Sequence, residues 1–402
     1  MKVRKHGASE MSAKPKTGKV PSSAHQILND SRFLVIKVGS VLIRGRELDE
    51  VNNHWMETLA EDISALMKNG VKVVVVSSGG VALGRKALGI PADIAPGAIR
   101  LEQKQAASAV GQYHMFNGYF KAFSKVGITA AQVLLTMSET ENRRMNLNAR
   151  ETLYTLLEKG IVPVINENDT VSTGEIRFGD NDRLSVRVAQ MIQADTVLLL
   201  STTNGLYTAN PDLDPAAKHI PVIEKIEDEH VQMAGSAIPG LSTGGMKSKI
   251  EAAQSATRAG ISLIIANGRE NHILKALLKE QDRLSSLFMA QKSGASARLI
   301  WLQSHMRPKG IVTIDDGALK ALKNGKSLLP VGVKKIEGHF QRGDAIEIRT
   351  LAGEKIGMGI SAYDVADATL IIGKNSSEIT KIHGYAGRDE LIHRNDMILE
   401  EI

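Results

Sequence analysis

Two lysines stand beside small, glycine-rich backbone at widely separated points of a 402-residue chain. Lys37 falls near the end of the apolar run 33–38 and is followed by Gly39 and Ser40, and Lys249 closes Thr243-Gly-Gly-Met-Lys-Ser-Lys249. Gly39, Gly244 and Gly245 allow close backbone approach to an anion, and the start of a helix favours negative charge. Cations are disfavoured at that end of a helix dipole, so Lys247 and Lys249 imply an anionic partner. Such residues suit gripping phosphate from two sides, as phosphoryl transfer requires. Taken alone, Lys37 with Gly39 is also an ordinary strand-to-turn junction, and its order is not that of a P-loop, where the lysine follows the glycines.

Three other segments have the same character. Ser77-Ser-Gly-Gly80 offers small residues ahead of a helix, as an anion nest or a plain turn. Asn166-Glu-Asn-Asp169 places four amide and carboxylate groups where a turn needs fewer. In Arg177-Phe-Gly-Asp-Asn-Asp182, either Asp180 or Asp182 could cap the helix that follows. The second acid, beside Asn181, suits Mg²⁺ or an amine, and with Arg177 the segment could hold a zwitterion. A hairpin around Gly174 would precede it. His54, His114 and His219 are isolated and read as core or surface residues.

The elements that must position these groups alternate along the chain. Apolar strands are predicted at Phe33–Val38, Val71–Val76, Ile128–Leu134, Ile161–Ile165, Thr196–Leu200 and Ile261–Ala266. They are continuous and rich in β-branched residues, as strands buried on both faces should be. Amphipathic helices are predicted at Leu48–Lys68, Ile99–Ser124, Glu141–Glu158, Arg183–Gln193 and Ser248–Arg258. This alternation implies an α/β/α sandwich around a mostly parallel sheet, with ligands at the strands' carboxyl ends. All five segments fall after a strand or at a helix start.

Composition bounds the rest. The chain is 43% hydrophobic and has no cysteine, which excludes disulfides, thiolate metal sites and cysteine nucleophiles, and fits a cytoplasmic setting. No apolar run suits a membrane span. The net charge of +6 lies mostly in the leader, since residues 1–32 carry seven Lys or Arg against two acids. Residues 1–30 are expected to be a basic, disordered tail (Met11 is an alternative start). Beyond residue 292 the pattern changes. A linker at 293–307 and a small β-rich domain at 308–402 are expected, with strands at Gly310–Ile314, Ala345–Thr350 and Thr369–Gly373.

These residues together resemble the glutamate 5-kinases of the amino acid kinase superfamily. The likeness rests on Lys37-Val-Gly-Ser40, Val76-Ser-Ser-Gly79, the run ending Asn166-Glu-Asn-Asp169, Phe178-Gly-Asp-Asn-Asp182, Gly205-Leu-Tyr-Thr208 and Gly244-Gly-Met-Lys-Ser-Lys249. The C-terminal segment is similar to a PUA domain. The resemblance implies an amino acid kinase domain over 31–292, with ATP and Mg²⁺ as cofactors and L-glutamate as acceptor. It also implies that Lys37, Lys249 and Asp182 act in catalysis, and that Ser78, Asp169, Asp180 and Asn181 hold glutamate. Lys37, Gly39, Ser201, Thr202, Thr243, Gly244, Gly245, Met246, Lys247, Ser248 and Lys249 would contact ATP. Many members carry an acid where this chain has Thr202, a departure that bears on nucleotide contacts, not on the reaction. Further family expectations are inhibition by proline, a homo-oligomer (dimer or tetramer), and γ-glutamyl phosphate reductase as a partner. Two other readings are a superfamily kinase for a different acid and an RNA-binding protein. The balanced charge of residues 298–402 weighs against RNA.

Overall fold

The computed structural model describes residues 23–45, 50–91, 94–171, 180–235, 245–279, 283–291, 308–375, 378–379 and 388–400. The expected linker at 293–307, the hairpin around Gly174, Arg177 and the leader before Ser23 lie outside them.

Strands β1 (Phe33–Val38), β2 (Lys72–Ser77), β3 (Ala130–Leu135), β4 (Val162–Glu167), β5 (Thr196–Ser201), β8 (Val222–Ile223), β9 (Ser262–Asn267) and β10 (Ser285–Phe288) form one sheet. Its order is β3-β4-β2-β1-β5-β9-β10-β8. The run from β3 to β9 is parallel, and β10 is antiparallel to β9. A short hairpin, β6 (Leu206–Tyr207) with β7 (His219–Ile220), stands beside it.

Side chains alternate across a strand, so each buried strand feeds two cores. Leu34, Ile36, Val73, Val75, Leu198 and Leu200 enter the core beneath α1 (Ala24–Asp30), α2 (Ser40–Ile43), α3 (Asn53–Lys68), α5 (Leu101–Lys125) and α11 (Ile273–Lys279). Val35, Val74, Val76, Val197 and Leu199 enter the other, beneath α7 (Arg143–Glu158), α8 (Asp180–Ile192) and α10 (Met246–Arg258). The smaller helices are α4 (Gly80–Gly84), α6 (Met137–Glu141) and α9 (Asp228–Met233). This is the expected three-layer sandwich.

The C-terminal sheet, ordered β12-β11-β13-β14-β15, comprises β11 (Gly310–Ile314), β12 (Val333–Gly338), β13 (Ala345–Thr350), β14 (Lys355–Ile360) and β15 (Met397–Leu399). It is flanked by α12 (Asp316–Lys323) and α13 (Val365–Ile371).

Three expectations are corrected. The tail stops short of residue 30: Ser23 caps α1 by accepting from the Gln26 amide at 3.3 Å, and Ala24 and Leu28 are buried. Thr369–Gly373 is no strand. Asp364 caps α13, and Ala368 and Ile371, three apart, bury one helical face, which outweighs the local β-like composition. The helix expected from Leu48 begins at Asn53, where Asn52 accepts from the Trp55 amide.

Candidate active site

The parallel register brings the chemistry to one edge. Lys37 pairs with Val76 and Leu199, so the ends of β1, β2 and β5 lie level. Lys37 shares the parity of Val35 and therefore faces the α8 and α10 side. There Asp182, wholly buried in the first turn of α8, lies between two ammonium groups. Lys37 Nζ is 2.6 Å from its Oδ1, and Lys249 Nζ donates to its Oδ2 at 3.0 Å. Ser248 Oγ donates to the Gly245 carbonyl at 3.0 Å and lies 3.4 Å from Asp182 Oδ2.

Burial alone would push the Asp182 carboxyl up, but the charges of Lys37 and Lys249 outweigh it and hold the group at about 2. Burial pulls the Lys37 ammonium down from its ordinary 10.5, and Lys249 adds to the effect, while Asp182 opposes both. One buried carboxylate thus keeps two like charges together.

Asn181, the preceding residue, leads into a second group. Its Nδ2 donates to Asn166 Oδ1 at 3.1 Å, and its buried Oδ1 has no partner among the described residues. Asn166 and Glu167 belong to β4 itself, not to the loop after it. Asp169 is buried and accepts from Ser108 Oγ of α5. Gln112 Nε2 holds the Glu167 carbonyl at 3.2 Å. Ser108 and Gln112 were not expected from sequence. Their signal is Gly80 and Gly84 facing Ala107 and Gly111. A Cβ on Gly84 would lie 1.8 Å from the Ala107 carbonyl, and one on Gly111 at 1.8 Å from that of Gly80. Only glycine lets α4 and α5 touch backbone to backbone, which delivers Ser108 to Asp169.

Ser78 follows β2 and its amide donates to the Val38 carbonyl at 3.1 Å. Gly39 differs from expectation, because its own amide is spent on the Leu200 carbonyl at 3.1 Å and is not free for phosphate. Ser201 is the last residue of β5 and Thr202 follows it, exposed. Gly245 and Met246 open α10 and Lys247 faces solvent. Asp180 is the first residue of α8. Thr243 and Gly244 lie outside the described residues.

The amino acid kinase family's sequence model matches residues 32–267, more than half of the chain. The chain belongs to the amino acid kinase family. A PUA domain model matches residues 310–383. Among curated members, the glutamate 5-kinase of Gluconobacter oxydans (strain 621H) is 47% identical, over 94% of this chain and 99% of that one. The glutamate 5-kinase of Sinorhizobium fredii (strain NBRC 101917 / NGR234) is 48% identical, over 92% of this chain and 93% of its own. That of Agrobacterium fabrum (strain C58 / ATCC 33970) is also 48% identical, over 91% and 92%. Such identity puts the chain in the glutamate 5-kinase branch of the amino acid kinase family. Among solved structures, a UMP kinase from Bacillus anthracis superposes with a TM-score of 0.47 at 15% identity, covering 65% of this chain and 97% of that one.

Proposed function

We infer that the chain phosphorylates the γ-carboxylate of L-glutamate with ATP, giving L-glutamyl 5-phosphate in the first step of proline biosynthesis. The observation that carries this is the pair of lysines, Lys37 and Lys249, held on one buried carboxylate at the strand-end edge, next to Asn181.

A γ-carboxyl with a pKa of ~4.3 is ionised at neutral pH and attacks phosphorus without a general base. Its oxygen forms the new P–O bond as the bond to the β–γ bridging oxygen breaks and ADP departs. The obstacle is electrostatic, an anion approaching a polyanion, and fixed cations lower it. Lys37 and Lys249 neutralise the transferring phosphoryl oxygens, and Asp182 orients both. Asp169 and the free Asn181 Oδ1 are acceptors suited to the α-ammonium of glutamate, and Ser78 completes that side. Asp180 stands at the same helix start. On the nucleotide side we place Ser201, Thr202 and residues 245–249, with Gly39 contributing close backbone approach but not its amide.

Each Asp182 oxygen is engaged by a lysine, and no cluster of three His, Asp or Glu suited to a metal occurs among the described residues. We take Mg²⁺ to arrive on the phosphates of ATP, because both Asp182 oxygens already face lysines. When bound, the ion would offset phosphate charge.

Proline shares the α-amino and α-carboxyl groups of glutamate and would compete at Asn166–Asp169 and Asp180–Asp182. Exposed Tyr113 and Phe120, seven residues apart on α5, support association with further copies as a dimer or tetramer. The acyl phosphate product is short-lived in water, which favours a reductase acting directly after it. The lack of cysteine suits a cytoplasmic setting, and no helix among the described residues is long and apolar enough to cross a membrane. For the C-terminal domain a structural or regulatory role is favoured over RNA binding.

ADP release with L-glutamate, L-aspartate, N-acetyl-L-glutamate and UMP as acceptors tests the substrate. L-Glutamate should lead in kcat/KM by at least ~10-fold, roughly 1.4 kcal/mol of discrimination. A lead by any other acceptor overturns the reading.

A further inference from the structure

The C-terminal domain meets the kinase domain through one face of α7. Leu147, Arg150 and Glu151 share that face by their i, i+3, i+4 spacing. Leu147 is buried against Ile360 of β14 and Ile398 of β15. Arg150, 6% exposed, forks onto Asp396, 2% exposed. Its Nη1 donates to Oδ1 at 2.6 Å and its Nη2 to Oδ2. Glu151 pairs with Arg388 at 2.6 Å and with Arg150 at 3.3 Å. A bidentate pair withdrawn from water is geometrically demanding, and losing one partner strands a buried charge. It therefore fixes one docking arrangement.

The adjoining stripe of α7 leads to the site, because Leu153 and Leu157 follow Arg150 at i+3 and i+7. Leu153 and Leu157 are buried in the same cluster as Ile165 of β4 and Leu184 of α8. Ile165 precedes Asn166, and Leu184 lies two residues beyond Asp182. One packed cluster thus runs from the docked stripe of α7 to the chain neighbours of the acceptor-side residues.

We propose that Arg150 and Asp396 are positioning residues. By clamping the C-terminal domain onto α7 they hold β4 against α8, and so set the affinity for the amino acid acceptor. The proposal rests on the reading of Asp169 and Asn181 as acceptor contacts.

In the full chain, Arg150→Ala and Asp396→Ala should each raise KM for L-glutamate at least ~5-fold, with kcat and KM for ATP within about twofold. The double variant should be no worse than either single, because both remove the same contact. An unchanged glutamate KM in both singles, or an equal rise in KM for ATP, overturns the proposal. Should the alanine variants not fold, Arg150→Lys keeps the charge, loses the fork and carries the same comparison. Hydrogen exchange across residues 162–169, measured without substrate, should quicken in Asp396→Ala, and unchanged exchange overturns the coupling. If L-glutamate proves not to be the acceptor while this exchange still responds, the substrate reading falls and the clamp stands.

Discussion

Replacing Asp182 by Asn removes the one negative charge between two buried ammonium groups and changes the shape little. The carboxyl sits at about 2 against an ordinary 3.8. At about 1.4 kcal/mol per tenfold, that gap is worth about 2 kcal/mol in favour of the ionised form. The variant loses this and leaves Lys37 and Lys249 facing each other, a defect whose total cost, that loss included, is about 3–5 kcal/mol. At about 2–4 °C per kcal/mol for a domain of this size, Tm should drop on the order of 10 °C. ATP should restore more of that loss than it adds to the wild type, because its phosphates supply the missing counter-charge. Turnover should nonetheless fall at least ~10²-fold, since the lysines lose their fixed geometry. Differential scanning fluorimetry with and without MgATP, beside steady-state kinetics, reads all three effects. The acid limb gives a further sign. A carboxyl depressed by folding contributes stability above pH 3.8 and loses it as pH falls toward 2, so the variant's acid unfolding should lack that component. Wild-type turnover, or a Tm loss identical with and without ATP, would refute the reasoning.

The ammonium of Lys37 is held below 10.5 by burial, so kcat/KM should fall on the alkaline side with an apparent pKa under that value. In the absence of ligand, stability should rise with pH through that range, because the unfolded chain there binds the extra proton. ATP should reverse the depression, and calorimetry in two buffers over the alkaline range where kcat/KM falls should show proton uptake on binding; no uptake anywhere in that range contradicts it. Ser108→Ala, which strips the hydroxyl from buried Asp169, should raise KM for glutamate ~10-fold, about 1.4 kcal/mol, and leave KM for ATP unchanged. Gly111→Ala would drive a Cβ to 1.8 Å from the Gly80 carbonyl, so Tm should fall by at least several degrees; an unaltered melting curve contradicts the close helix contact.

Much of this was legible in the residues, and the exceptions have physical causes. β1 matches its expected range because Phe33–Val38 is buried on both faces and bounded by Gly39. The side of the sheet that Lys37 faces follows from strand parity, but the carboxylate it shares with Lys249 does not. Asp182 read equally well as a helix cap, and only packing of α8 against β1 and α10 makes it a counter-ion. The glycine at position 39 suggests a phosphate-binding amide, yet the level ends of β1 and β5 commit that amide to Leu200. Ser108 was silent because it acts across the sheet-to-helix layer, and its sequence cue is in the glycines of α4. In the C-terminal domain, short segments defeated periodicity. Thr369–Gly373 has β-like composition, but the cap at Asp364 and the burial of Ala368 and Ile371 make the segment part of a helix.

The most direct measurement is acyl phosphate formation from MgATP and L-glutamate, trapped with hydroxylamine, for the wild type, Lys37→Met and Lys249→Met. The wild type should give hydroxamate in step with ADP, and each variant should lose at least ~10²-fold in kcat, the scale of one strong electrostatic donor. Near-normal turnover in either lysine variant, or ADP without hydroxamate in the wild type, would contradict the account.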